Sequence, residues 1–182
     1  MRSLLRAIIY RTRLKYIQLN EMLDNYGLNK NDNINQKINL PKIKLTQVKE
    51  EIQIESLCNF YYNNPSNMMM VPWKTDILEE RMSDGVNFYL IYNQNNILVG
   101  ATGFDHKRNM FVHSIVDYRH RKQGYGKSMY LRLIDLMKEQ GIDKVRVQTI
   151  KKNIRAINML LNIGFEIDSK EDNDKYLTMV KS

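Results

Sequence analysis

The stretch RKQGYGKS, Arg121 to Ser128, packs two glycines and three basic side chains into eight residues and ends in the Gly-Lys-Ser triplet of nucleotide-binding loops. A complete loop of that kind needs a glycine five residues before Gly126, so that backbone N–H groups can wrap the phosphates. That position is Arg121. What remains is Arg-x-x-Gly-x-Gly, preceded by the apolar run MFVHSIV (Met110 to Val116) and followed by KSMYLRLIDLMKEQG. Strand, glycine turn and helix start, in that order, aim free N–H groups and the positive end of a helix dipole at one point. The turn can therefore hold a diphosphate without being a nucleotide-hydrolysing loop.

The charge of the chain sits where such a ligand would want it. The net charge is +8. Residues 1 to 50 carry ten basic against four acidic side chains, and residues 107 to 155 carry thirteen against four, so the rest of the chain is acidic. A polyanion is the natural ligand of the second cluster, with solvated surface lysines as the plainer reading. The single cysteine, Cys58, excludes an intramolecular disulfide framework and a cysteine-based metal cluster, and no metal is expected. Its place in the stripe Ile54, Leu57, Cys58, Tyr61 reads as packing rather than nucleophilic chemistry. No apolar run reaches the length of a membrane span. These features point to a soluble protein of a reducing compartment, the cytoplasm.

The elements that must position the turn can be read from periodicity. Leu5, Ile9, Thr12, Tyr16, Leu19, Leu23 and Tyr26 follow a four-three spacing and Gly27 closes it, which predicts an amphipathic helix over residues 3 to 26 and a polar linker to residue 37. Arg2, Arg6, Arg11, Arg13 and Lys15 precede the first acidic residue, Glu21, a pattern shared with organelle presequences, so targeting stays open. A membrane surface or a partner is a further reading, and packing on the body or on a second protomer, as in a homodimer, is the simplest one. The chain thus divides into residues 1–37 and 38–182.

From residue 38 strands and helices alternate. INLPKIKL reads as a strand that Pro41 confines to an edge or interrupts, Thr46 as the cap of a helix running to about Tyr62, and TDILEERM as a second short helix after the loop NNPSNMMMVPWK. NFYLIYNQNNILVGATGF is a hairpin and MFVHSIV a third consecutive strand. A long helix to Gln140, the strand KVRVQTI, the helix NIRAINMLLNIG and the strands FEID and KYLTMVK complete the order β-α-α-β-β-β-α-β-α-β-β, a mixed α/β sheet.

VDYRHRKQGYGKSM, followed some thirty residues later by NIRAINMLLNIGFE, resembles the GNAT superfamily of acetyl-CoA-dependent N-acyltransferases in residues, spacing and element order across 38–182. The resemblance implies that the turn cradles the diphosphate of acetyl-CoA, with Arg121 and Lys122 adding charge and the amides of Gln123, Gly124, Tyr125, Gly126, Lys127 and Ser128 adding directional hydrogen bonds. It implies that Asn153 helps hold the pantetheine. It further implies that the thioester lies between two splayed parallel strands, FVHSIV and VRVQTI. The amide of Val116, or of Ile115 if the strand bulges, would then stabilise the oxyanion.

The implied reaction is direct attack by an amine on bound acetyl-CoA. Family members often place a tyrosine four residues before the glycine of the GF pair to protonate the leaving thiolate; here that position is Leu160. A thiol with a pKa of about 8.5 leaves tolerably without an acid. A side-chain base would come from an even offset before Val116, where Met110, Val112 and Ser114 offer none. His113 falls at an odd offset, facing away unless a bulge re-aims it, and Asp105 and Asp117 could act only through water.

By the same resemblance the acceptor amine approaches past the loop SNMMMVPWK, an apolar wall that suits an amine on an apolar or aromatic body, or a peptide N-terminus, better than a polyamine. The basic N-terminal helix lacks the interleaved aromatics of a nucleic-acid module. Because of Leu160, the main rival is an acyl-CoA-binding protein of the same fold that is inactive or nearly so.

Overall fold

The computed structural model describes residues 39–64, 74–168 and 175–182. The helix and linker expected over residues 1–37, and residues 65–73 of the methionine loop, lie outside the described residues. Those described belong to one unit, Asn39–Ser182.

The chain order is β1 (Ile43–Gln47), α1 (Glu51–Asn63), α2 (Thr75–Ser83), β2 (Val86–Asn93), β3 (Leu98–Asp105), β4 (Met110–Val116), a single 3-10 turn at Tyr118–His120, α3 (Tyr125–Glu139), β5 (Val145–Ile150), α4 (Ile154–Leu161), β6 (Glu166–Ile167) and β7 (Tyr176–Lys181). Apart from the 3-10 turn this is the order expected from periodicity. The seven strands form one sheet ordered β1-β2-β3-β4-β5-β7-β6, antiparallel except for β4 beside β5. β1 is an edge strand, and Pro41 stands just before it rather than in it.

Thr46 does not cap the first helix. It lies in β1 opposite Leu90, and the cap is Glu50, which forms a reciprocal box with Gln53 three residues on. The sequence signal for a threonine cap lost to sheet pairing, because Thr46 fits a ladder as well as it fits a helix start.

The two faces of the sheet carry two cores. Tyr89, Ile91 and Phe111 point to the side where α3 and α4 pack with Met129, Leu133, Met137, Ile157 and Leu160. Phe88, Leu90, Ala101 and Ile115 point to the other side, against Leu57, Phe60 and Tyr61 of α1 and Leu78 of α2. The alternation Phe88, Tyr89, Leu90, Ile91 along β2 is the two-residue period of a strand buried on both faces. Each buried Leu or Phe stabilises by about 1.5–3 kcal/mol, which is enough to fix α3 across β3 and β4 and so to fix the turn that precedes it. In the Ile54, Leu57, Cys58, Tyr61 stripe only Cys58 is partly exposed, and its sulfur lies 3.7 Å from Thr75 Oγ1 at the start of α2.

Candidate active site

The site is built where β4 ends and α3 begins. β4 and β5 pair in parallel at Met110–Arg146 and Phe111–Val147 and at no later residue, so their C-terminal halves are left without backbone partners in one another. On its other edge β4 stays paired with β3 to Val116. A gap bounded by two strand edges is thereby opened by the ladder itself.

A bulge shapes the wall of that gap. Val112 stands opposite Gly103 and Ile115 opposite Ala101, so β4 fits His113 and Ser114 where β3 has only Thr102. His113 takes up the extra residue with φ 52°, a left-handed conformation that is uncommon without glycine. Val112 and Ile115 join the α1–α2 core, and His113 stacks on Phe88 of that core, ring centroids 6.3 Å apart. Ser114 faces the other way, its Oγ 2.6 Å from Thr102 Oγ1 and hydrogen-bonded to the phenol of Tyr130, whose pKa burial pushes up to about 12. Val116 faces α3, its Cγ2 3.8 Å from where a side chain on Gly126 would begin. The bulge therefore carries Val112 to the face of His113, and His113 looks toward α1 and α2 rather than along with Val116.

The bulge also decides which amide reaches the gap. The N–H of Asp117 donates to the Val99 carbonyl at 2.9 Å. Amides alternate in direction along a strand, so that of Ile115 also turns to β3 while that of Val116 turns to the gap. The expected handover to Ile115 in a bulged strand is thus reversed: the strand bulges, and the outward amide is that of Val116.

The turn after β4 is tied down at several points. Asp117, 1% exposed, accepts from the Arg119 backbone at 2.8 Å and from the Arg119 guanidinium at 3.1 and 2.7 Å. Tyr118 N–H donates to Asn64 Oδ1 at 3.2 Å, a link from the end of α1 that nothing in the sequence foretold. Arg121 Nε donates to the Val116 carbonyl at 3.1 Å, and Gln123 Nε2 to the Arg119 carbonyl at 3.2 Å. Gly124 caps α3 with φ 86° and no side-chain bond, and the first helical bond runs from Ser128 N–H to Gly124. Tyr125, Gly126 and Lys127 consequently present amides that the helix does not use. Ser128 does not face the turn with its side chain; its Oγ donates to the Pro41 carbonyl at 2.9 Å, which packs the lead-in to β1 on the first turn of α3.

Lys122 also sits in the left-handed region, at φ 62°. Lys122→Gly is expected to raise stability by about 1 kcal/mol by removing that strain, while weakening binding of a phosphate ligand severalfold through the lost charge. Urea unfolding and a titration with coenzyme A check the two signs.

The remaining residues singled out from sequence occupy structural settings. Asn153 caps α4, accepting from Ala156 N–H at 3.3 Å, with Nδ2 3.4 Å from Thr149 Oγ1 at the end of β5. Leu160 is 1% exposed and part of the α3–α4 core. Arg108 pairs with Asp105 at 2.7 Å and, despite the opposing effect of burial, holds its carboxyl below the ordinary range. Arg119 pulls Asp117 down to about 2. Carboxylates held this low are weak bases at neutral pH. Among the described residues no group of three His, Cys, Asp or Glu side chains could hold a metal, and no helix is long and apolar enough to cross a membrane.

Burial, followed by the charges of Arg81 and Arg108, lowers the pKa of His113 to about 4. The folded value lies below the unfolded one, so between about pH 6.5 and 4 the unfolded chain binds a proton that the folded chain does not. Stability is therefore expected to fall by up to about 3 kcal/mol as pH drops through that window. Urea unfolding at pH 7 and 4.5 should show this loss, and His113→Gln should flatten it; an equal slope in the variant would clear His113 as its cause.

A sheet split at β4 and β5, with free helix amides at the mouth of the split, gives this mixed α/β fold a place for an extended anionic ligand. The model of the acetyltransferase (GNAT) family matches residues 52–165, more than half of the sequence, and the chain belongs to that family. Acetyl-CoA is that family's acyl donor. Among solved structures, the chain is similar to the ribosomal-protein-S18-alanine N-acetyltransferase of Escherichia coli, with 12% identity, TM-score 0.61, and 77% of this chain and 93% of that one covered. It is similar to a GNAT-family acetyltransferase of Staphylococcus aureus Mu50, with 23% identity, TM-score 0.57, and coverage of 77% and 98%. It is also similar to the spermidine N-acetyltransferase of Vibrio cholerae, solved with CoA and spermine, with 17% identity, TM-score 0.62, and coverage of 76% and 94%. These likenesses concern the fold. No curated protein sequence matches the chain.

Proposed function

We propose that the protein moves the acetyl group of acetyl-CoA to a primary amine by direct attack within a ternary complex. The observation that carries this reading is the conjunction of the uncapped α3 amides with the gap that opens beyond Phe111 and Val147. The residues present fit the donor. Three free amides, the helix dipole and the nearby Arg121 and Lys122 suit a diphosphate, and a Cβ on Gly126 would meet Val116 Cγ2 at 3.8 Å. The Val116 N–H is aimed to donate a hydrogen bond to a thioester oxygen in the gap.

In this reading the amine arrives from the α1–α2 side, already deprotonated, and no side chain is needed as a strong base. His113, neutral at pH 7, faces that side, but its pKa of about 4 makes it a feeble proton acceptor. His113→Ala is expected to keep at least a tenth of the turnover, and a thousandfold drop would instead assign it the base. Among acceptors, an amine on an apolar or aromatic body, or a peptide α-amine, suits the methionine-rich segment before α2.

One observation favours a second reading, a weak or inactive acyl-CoA-binding protein. Leu160 fills the place of the tyrosine acid and is locked in the core. Thermal unfolding with acetyl-CoA, coenzyme A, or ATP with magnesium separates the cases. At a hundred times Kd a ligand adds about 2.7 kcal/mol. Shifts with both coenzyme A species and none with ATP, followed by thiol release with a panel of amines, support the transferase. Shifts without thiol release support the second reading, and a shift with ATP alone overturns both.

A further inference from the structure

Helix α1 packs on the bulged stretch of β4 and also reaches its backbone by a hydrogen bond. The hydroxyl of Tyr61 donates to the carbonyl of His113 at 2.9 Å. Tyr61 is 1% exposed, and burial raises its phenol far above the ordinary value, so it is a permanent donor. The carbonyl it holds belongs to the residue that is forced to positive φ. A conformation of that kind persists only where surrounding contacts over-determine it.

The bulge has a countable consequence for the gap. Continuing the Val112–Gly103 pairing without an extra residue would put Ser114 opposite Ala101 and Ile115 opposite Gly100. Ile115 would then turn its amide to the gap, and Val116 would turn its own to β3. The bulge therefore selects which amide faces the thioester, and it also selects which side chain faces α3.

We propose that Tyr61 is a positioning residue for acetyl transfer: its hydrogen bond to the His113 carbonyl holds the bulge that turns the Val116 amide into the gap. This rests on the transferase reading for its kinetic consequence, but its structural half stands without it. The latch comes from α1, on the side from which the amine approaches, so the two substrates meet at a wall set by one helix.

The test uses Tyr61→Phe in the full chain, which keeps the ring in its core and removes the hydroxyl. Amide hydrogen exchange of the ligand-free protein is read at residues 113–116 and at 125–128. Exchange is expected to rise at least tenfold in the first segment and to stay unchanged in the second. Unchanged exchange at 113–116 overturns the proposal whether or not the protein has activity. In turnover, kcat is expected to fall about tenfold, while KM for acetyl-CoA and the thermal shift with coenzyme A hold. A change in KM or in that shift, with kcat unaltered, also overturns it.

A second variant separates latching from general packing. His113→Gly removes the conformational strain, so in that background Tyr61→Phe should cost less than threefold in kcat and little in exchange. Equal losses in both backgrounds would mean that the hydroxyl supports the core and not the bulge. If the parent chain releases no thiol with any amine, the transferase reading fails, and the exchange data alone decide the latch.

Discussion

Val116→Pro is expected to lower kcat by two to three orders of magnitude while leaving acetyl-CoA binding largely intact. Proline removes one N–H and nothing else of the backbone's hydrogen-bonding set. In most strand positions that costs a ladder bond, but the Asp117–Val99 bond places the Val116 amide on the gap side, where β5 does not pair with it. The fold should therefore tolerate the change, and the loss should fall on the oxyanion, for which one donor is worth roughly 10²–10³ in rate. Ile115→Pro is the opposing control. Its amide lies in the β3 ladder, so unfolding rather than selective inactivity is expected. Steady-state thiol release and thermal unfolding with coenzyme A read both variants. A Val116→Pro protein that binds coenzyme A and keeps more than a tenth of the parent kcat would remove the Val116 amide from the reaction.

The second large effect belongs to the turn. Gly124→Val is expected to abolish the thermal shift with acetyl-CoA, through an affinity loss of at least a hundredfold, about 2.7 kcal/mol. Gly124 has φ 86°, and a Cβ there would meet Pro41 Cδ at 3.0 Å and Leu40 Cδ2 at 3.6 Å. A left-handed conformation costs a residue with a side chain about 1–2 kcal/mol, and a ring anchored by the Ser128–Pro41 bond cannot simply swing aside. The turn must rearrange, and with it the amides of Tyr125, Gly126 and Lys127. Gly141, at φ 78° with nothing within 4 Å of its added Cβ, isolates the backbone contribution. Gly141→Val should lose similar backbone stability and keep the full ligand shift. If both variants keep the shift, the α3 amides do not hold the diphosphate.

The run MFVHSIV gave a strand with the bounds found, Met110–Val116, because Phe111, Val112, Ile115 and Val116 are strand formers in a run bounded by polar turns. Within it nothing announced the bulge. No glycine or proline marks His113, and the conformation is held by Phe88 and Tyr61, partners 25 and 52 residues away. Parity counted from Val116 therefore assigned Val112 to the wrong face. Asp117, weighed as a base acting through water, is buried under Arg119, and Ser128, whose amide was expected among the turn's donors, gives that amide to the Gly124 carbonyl and its hydroxyl to the Pro41 carbonyl. Thr46 illustrates the same competition in another form, since a residue equally suited to a cap and a ladder is decided by what lies beside it.

The sequence by itself determined the element order, the mixed sheet, the glycine turn at a strand-to-helix junction and the concentration of positive charge around it. Those properties depend on periodicity, on conformational preference and on composition, all of which act over a few residues. Only the tertiary structure decided where β4 parts from β5, which amide lines the gap, which face His113 takes and which carboxylates are neutralised by arginine. Each of these depends on the pairing register of three strands and on side chains that meet from distant segments, and a one-residue insertion in a ladder reverses every direction downstream of it.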